Sequence, residues 1–241
     1  MSFTFTLNPA LDAVALSKAF SVGGHISIPE FLEQDCATKL HQSLVDRQDW
    51  AWAINAGGHV YDLGREAREA MTVEQRVELD NRINLAARDG FQFRFSSLRV
   101  PDPVSKRKPE QDVLHAFAEF MRSEPVLDFI RKVTGKSAIL FADAQGTAYH
   151  PGDFLTGHDD DIEGKNRELA YVMGLTPEWR VEWGGLLLFH RADGKISGLV
   201  PRFNCLNLFA LPVLHSVSQV TPFAGGVRYA ITGWMRTEFP A

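Results

Sequence analysis

The sequence predicts a mainly β, α+β domain: a β-sandwich or jelly-roll core buttressed by helices from the first half of the chain. Three observations carry this. From Ser137 onward, short β-branched and aromatic runs are separated by turn residues at regular intervals. Before that point, apolar residues recur at helical spacing. The 241 residues, 45% hydrophobic and 23% charged, suffice for one large domain with a buried core. We expect a single domain over 1–241, with helical support over about 25–136 and the β core over about 137–238.

The elements follow in order. Ile28-Pro29-Glu30-Phe31-Leu32 leads into a helix over 33–48, in which Leu40, Leu44 and Val45 share a face. Thr72-Val73-Glu74-Gln75 has the form of a capping box opening a helix to about Arg88. Residues 109–122 give the clearest helix, with Val113, Ala116, Phe117, Phe120 and Met121 in one stripe. Pro125 suits the first turn of the next, which carries Val126, Leu127, Phe129, Ile130 and Val133. These stripes are read as packing surfaces for a sheet. Strands are expected at 138–142, 146–150, 169–173, 186–190, 205–211, 214–220 and 227–234. Pro151-Gly152-Asp153, Ala192-Asp193-Gly194 and Gly225-Gly226 mark turns between them. The stretch 96–111, with three prolines and Lys106-Arg107-Lys108, lacks periodicity. It reads as a surface connector or as a loop closing over substrate.

Composition excludes several classes. A net charge of −5 and one short basic cluster argue against a nucleic-acid partner. No apolar run approaches the roughly 20 residues that span a bilayer, so no membrane association is expected. Met1 to Gly24 has no basic start and does not read as a secretory signal. Cys36 and Cys205 alone cannot form a disulfide scaffold, and two isolated thiols fit a reducing, cytoplasmic setting.

The chemistry concentrates in Tyr149-His150-Pro151-Gly152-Asp153-Phe154-Leu155-Thr156-Gly157-His158-Asp159-Asp160, then Leu214-His215-Ser216-Val217, then Arg228 to Trp234. Two imidazoles and one carboxylate can occupy one face of an octahedral metal and leave three positions open. His158 and Asp160 are two apart and aim at one ion if the backbone between them is extended. His215 would join them from a strand across the barrel. Such ligands suit Fe(II), but also Mn(II), Co(II), Ni(II) or Zn(II). Each piece alone is weak, since a histidine near a carboxylate is more often a surface pair. His150 competes as a ligand, as do Asp159 and Asp161. The ordered combination in a β-rich setting is far more specific than any part.

On these residues the chain resembles the prolyl hydroxylase-like branch of the Fe(II)/2-oxoglutarate oxygenases, which includes oxygen-sensing and ribosomal-protein hydroxylases. The resemblance spans about 25–238. It rests on Tyr149-x-x-Gly152-Asp153-Phe154-Leu155-x-x-His158-x-Asp160, Arg167, Gly184-Gly185-x-Leu187, His215-Ser216-Val217 and Arg228-Tyr229-Ala230-Ile231-Thr232-Gly233-Trp234. It implies a double-stranded β-helix and a dioxygenase that hydroxylates an unactivated C–H bond, with release of succinate and CO2. His158, Asp160 and His215 would bind Fe(II), and 2-oxoglutarate and O2 would be co-substrates, with ascorbate as reductant. Arg228 would fork onto the 5-carboxylate, with Tyr149 and Thr232 lining the same pocket and Trp234 on the substrate side. A protein or peptide substrate containing proline is the first expectation. A free amino acid or other small metabolite, and a non-catalytic metal-binding jelly roll, are the alternatives. Oligomeric state is not legible. Two departures stand out. Many members carry a 5-carboxylate-binding tyrosine where this chain has Gly174, so that contact is absent or comes from elsewhere, such as Tyr171. The interval from His215 to Arg228 is also long, and a hairpin over 219–226 is expected to absorb it.

Overall fold

The computed structural model describes residues 3–101 and 103–239. Six helices, α1 (Ala13–Gly23), α2 (Gln34–Val45), α3 (Arg65–Glu69), α4 (Val73–Asp89), α5 (Val113–Met121) and α6 (Glu124–Thr134), lie in the first part of the chain. Four strands lie among them: β1 (His25–Pro29), β2 (Ala51–Ala56), β3 (His59–Leu63) and β4 (Phe93–Arg99). Nine more follow: β5 (Phe141–Ala142), β6 (Gln145–Tyr149), β7 (Phe154–His158), β8 (Arg167–Gly174), β9 (Leu187–His190), β10 (Ile196–Leu199), β11 (Cys205–Ala210), β12 (His215–Val217) and β13 (Arg228–Arg236).

From β6 onward the chain winds between two antiparallel layers, β11-β8-β13-β6 and β7-β12-β9-β10. This is the double-stranded β-helix. β4 pairs with both β6 and β7 and ties the layers together at one side. β1 extends the first layer beyond β11, and the β2–β3 hairpin hangs from β4.

Alternation along β8 explains how the layers are filled. Leu169, Tyr171 and Met173 face outward and join Leu40, Leu44, Phe117, Met121, Ile130 and Val133 from α2, α5 and α6. Ala170 and Val172 face inward, against Leu187, Phe189, Phe209 and Ala230. A strand apolar on both faces can only be central. The helical stripes read from sequence are thus the lid on the outer face of the first layer. Helix caps also match: Thr72 and Gln75 form the full capping box of α4, and α6 carries its proline in the first turn.

The description of 25–136 as helical support needs correction, because this stretch also supplies β1 to β4. β4 escaped detection because six of its seven residues are buried, which erases the alternation of a half-exposed strand. The β2–β3 hairpin turns through Gly57 and Gly58, both at positive φ (60° and 82°), which a glycine pair adopts without strain. The stretch 96–111 is not one free connector. Its first residues complete β4, and the Arg107 guanidinium is buried against the Pro101 carbonyl and Glu119. Residues 219–226 form no strand pair. That loop is pinned by Gly152 N–H to the Val220 carbonyl and by Thr221 N–H to the Trp183 carbonyl.

Candidate metal centre and co-substrate pocket

β7 and β12 pair antiparallel with His158 opposite His215, which brings two imidazoles together at the ends of two short strands. Their ring centroids lie 4.1 Å apart. Asp160 lies beyond the end of β7, at φ 61°. The premise of an extended His-x-Asp backbone is therefore corrected. A left-handed turn, which Asp tolerates better than most residues, swings the carboxylate back toward both rings. Asp160 Oδ1 is 3.6 Å from His158 Nε2, and Oδ2 is 3.4 Å from His215 Nε2. One ligand atom from each of the three lies within 4.8 Å of the others.

Both rings are oriented by backbone. His158 Nδ1 donates to the Thr156 carbonyl at 3.0 Å, and His215 Nδ1 to the Val213 carbonyl at 2.8 Å. Each bond holds the proton on Nδ1 and leaves the Nε2 lone pair facing the centre. Burial, reinforced by the neighbouring His215, lowers the pKa of His158 and favours its neutral, ligating form. Burial pushes the Asp160 carboxyl up, but its contacts with His215, His158 and Trp234 outweigh this and hold its pKa below the usual carboxylate range. Arg167 Nη1 donates to the Asp160 carbonyl at 3.3 Å, and its guanidinium lies 3.6 Å over the Trp234 ring. His150, Asp159 and Asp161 do not join the three-residue cluster.

The cluster opens into a cavity of about 290 Å³ inside the barrel. Arg228 lines the same cavity, at the start of β13 and in register with Tyr149 on β6. Its guanidinium carbon is 4.8 Å from the Tyr149 ring centroid. It is buried, no carboxylate lies within ion-pair distance among the described residues, and its Nε has no hydrogen-bond partner among them. Burial lowers its pKa, offset in part by Tyr149. A buried arginine with donors to spare is a receptor for an anion. Thr232 and Trp234 follow on the same face of β13 and also line the cavity.

The Tyr171 hydroxyl donates to the Asp143 carbonyl at 2.5 Å, so it does not replace the tyrosine missing at Gly174. Gly174 is required by packing: a Cβ there would lie 2.2 Å from the Arg202 carbonyl oxygen. Sequence reasoning missed the aromatic wall of the cavity, Phe93 and Phe95 on β4 with Phe91 just before it. It lies far from the motifs in sequence, and no local signal marks it.

Residues 144–236 match the 2OG-Fe(II) oxygenase superfamily. That core holds all three clustered residues and Arg228. Part of the chain is also similar to prolyl 3-hydroxylase OGFOD1 of Xenopus laevis, 32% identical over 119 residues, covering 46% of this chain and 23% of that protein. The Mus musculus relative of the same name is 32% identical over 114 residues, covering 44% and 20%. The chain thus spans about a fifth to a quarter of the length of these curated relatives. In fold it resembles a Pseudomonas putida prolyl-4-hydroxylase (TM-score 0.58, 19% identity, 93% of this chain and 98% of that one). It also resembles a Trichoplax adhaerens prolyl hydroxylase solved with a hypoxia inducible factor peptide (TM-score 0.60, 19% identity, 93% and 89%). The likeness to prolyl hydroxylase-like oxygenases read from the motifs therefore stands, as does the jelly-roll fold.

Proposed function

We propose that the protein is an Fe(II)- and 2-oxoglutarate-dependent dioxygenase that hydroxylates a prolyl residue of a protein substrate. One observation carries the reading: a two-histidine, one-carboxylate cluster and a buried arginine with no acid partner among the described residues line a single cavity. The donor set fits a metal with three open positions. The spare donors of Arg228 fit the distal carboxylate of a dicarboxylic acid. His158, Asp160 and His215 would hold Fe(II), and Arg228, Tyr149 and Thr232 the co-substrate.

Bound Fe(II) and 2-oxoglutarate supply, with O2, the oxidising power to insert oxygen into a C–H bond, releasing succinate and CO2. The chain supplies the rest. Backbone carbonyls of Thr156 and Val213 fix the imidazoles, so the ligands need no rearrangement on metal binding. Phe95, Val172, Leu187 and Phe209 keep the cavity apolar and exclude water from the reacting atoms. Phe91, Val60 and Ile162, among the same lining residues, offer an apolar surface suited to a pyrrolidine ring. The names of the curated relatives and the peptide bound to the Trichoplax protein favour a prolyl residue in a peptide. We extend the reading to ascorbate as reductant and to the cytoplasm, the latter supported by two free cysteines. No helix among the described residues is long and apolar enough to cross a membrane. A single domain is supported by the joining of β1 to β4 with the later strands in one sheet.

The test is anaerobic addition of Fe(II) and 2-oxoglutarate to the metal-free protein, followed by visible spectroscopy. A charge-transfer band, lost in His215→Ala, is expected. Proline-containing peptides and free proline are then offered with O2, with and without ascorbate, and product mass is read for one added oxygen. Tight metal binding without a band overturns the oxygenase reading. Hydroxylation of free proline alone overturns the protein substrate.

A further inference from the structure

Outside the oxygenase cavity, a second one of about 330 Å³ lies on the opposite side of β4 and β13. Ser96 and Tyr229 line it, while their neighbours Phe95 and Arg228 line the first. Its walls carry Arg47, Arg65, Arg68, Arg76 and His150 against one lining carboxylate, Glu69.

The counter-charges are unevenly shared. Arg47 is held by Asp112 at 2.6 Å and Asp49 at 2.7 Å, and Arg65 by Glu69 at 2.7 Å. Arg68 and Arg76 form no ion pair among the described residues. Arg68 Nη2 donates to the Trp50 carbonyl at 2.8 Å, and Arg76 Nη2 to the Arg68 carbonyl at 2.6 Å. Three buried atoms on the wall have no hydrogen-bond partner among the described residues: Arg68 Nε, His150 Nδ1 and Ser96 Oγ. His150 Nδ1 stands 3.6 Å from Asp153 Oδ2, too far for a hydrogen bond. The Arg68 guanidinium is braced 5.3 Å from the Trp52 ring centroid. Burial disfavours its charged form; Glu69 and Asp153 offset part of this, and the like charges of Arg65 and Arg76 add to it. Buried polar groups are rarely left unpaired, and unpaired cationic donors least of all.

We propose that this pocket binds the phosphate group of a small phosphorylated molecule. A phosphate monoester carries close to two negative charges and three acceptor oxygens, and guanidinium groups fork onto it. A single carboxylate would leave part of the charge of Arg68 and Arg76 uncompensated. The cavity exceeds the volume of a phosphate alone, so it has room for the carrier. The net charge of −5 argues against a nucleic acid as that carrier.

The test is calorimetric titration of the full chain with inorganic phosphate, pyrophosphate and ribose 5-phosphate separately. Saturable binding of at least one is expected, and the tightest of the three identifies what the carrier adds. Arg76→Gln, at an exposed side chain, should weaken it about tenfold, the loss of one charge-assisted contact. Arg68→Gln should weaken it at least as much, and Arg228→Ala should leave it unchanged. No saturable binding by any of the three overturns the proposal. So does binding that survives both pocket variants, or that is lost in Arg228→Ala, which would put the phosphate in the oxygenase cavity. The readout is independent of oxygenase activity, so the two proposals fail separately.

Discussion

The two ends of the cavity lined by His158 and Arg228 are built differently. At one end, His158, Asp160 and His215 are held by the chain itself: two Nδ1–H bonds to backbone carbonyls, and a left-handed turn at Asp160. At the other, Arg228 is held by a strand and an aromatic ring, and its Nε meets no partner among the described residues. The first end is arranged in advance for a cation. The second has its hydrogen bonding unfinished and gains from an anion. A ligand that chelates at one terminus and carries a carboxylate at the other satisfies both ends at once. That complementarity, more than any single residue, supports the 2-oxoglutarate reading.

Breaking the cation end should have the largest effect. Partners that merely orient metal-binding histidines are typically worth about 10–100-fold in metal affinity, and loss of a ligand should exceed that. His215→Ala is expected to abolish Fe(II) binding by equilibrium dialysis, with the fold retained by circular dichroism. Binding of Fe(II) within threefold of wild type would sink the assignment of the cluster. Breaking the anion end should give a different pattern. Arg228→Ala is expected to keep Fe(II) affinity and raise the 2-oxoglutarate needed for half the spectral change by about 10–100-fold, the loss of a charge-assisted pair. Parallel loss of metal and co-substrate in this variant would mean that the ends are not separable.

The same contrast shows what was legible in the sequence. His158, Asp160, His215, Arg228, Tyr149 and Thr232 all lie in short segments within the later strands or at their ends, and each was visible there. The geometry of the first pair was not, because φ 61° at Asp160 leaves no periodic trace. The jelly roll was legible from the strand rhythm after Ser137. β4 was not, since burial on both faces hides alternation, and with it went the aromatic wall of Phe93 and Phe95. The arginines of the second cavity were also invisible as a group. Arg47, Arg65, Arg68 and Arg76 stand apart in sequence and come together only in the fold, on the wall of one cavity.

Gly174 sharpens the comparison with family members that carry a tyrosine there. The position is closed by backbone, with the Arg202 carbonyl oxygen 2.2 Å from any Cβ and the Cys205 carbonyl oxygen at 3.4 Å. Gly174→Ala should destabilise by about 1–3 kcal/mol through overpacking, read as a lower urea midpoint at unchanged slope. Gly174→Tyr should fail to fold instead of restoring a carboxylate contact. A stable, active Gly174→Tyr would show that the 200–206 segment yields easily.

The smallest expected effect tests the anion end without any ligand. A buried guanidinium with no acid partner among the described residues costs desolvation, which the Tyr149 ring and hydroxyl offset in part. Arg228→Met keeps the stem's packing and removes the charge. In the metal-free protein it should therefore match or exceed wild type in thermal stability, by on the order of 1 kcal/mol. Added 2-oxoglutarate with a non-oxidising metal such as Zn(II) should reverse the order, because ligand binding stabilises only a protein that can hold it. His215→Ala should show no such reversal, since without metal neither protein is held by a chelate. If Arg228→Met is instead several kcal/mol less stable with no ligand present, the guanidinium is a structural tie within the barrel. The two ends of the cavity would then be alike in being complete without a ligand.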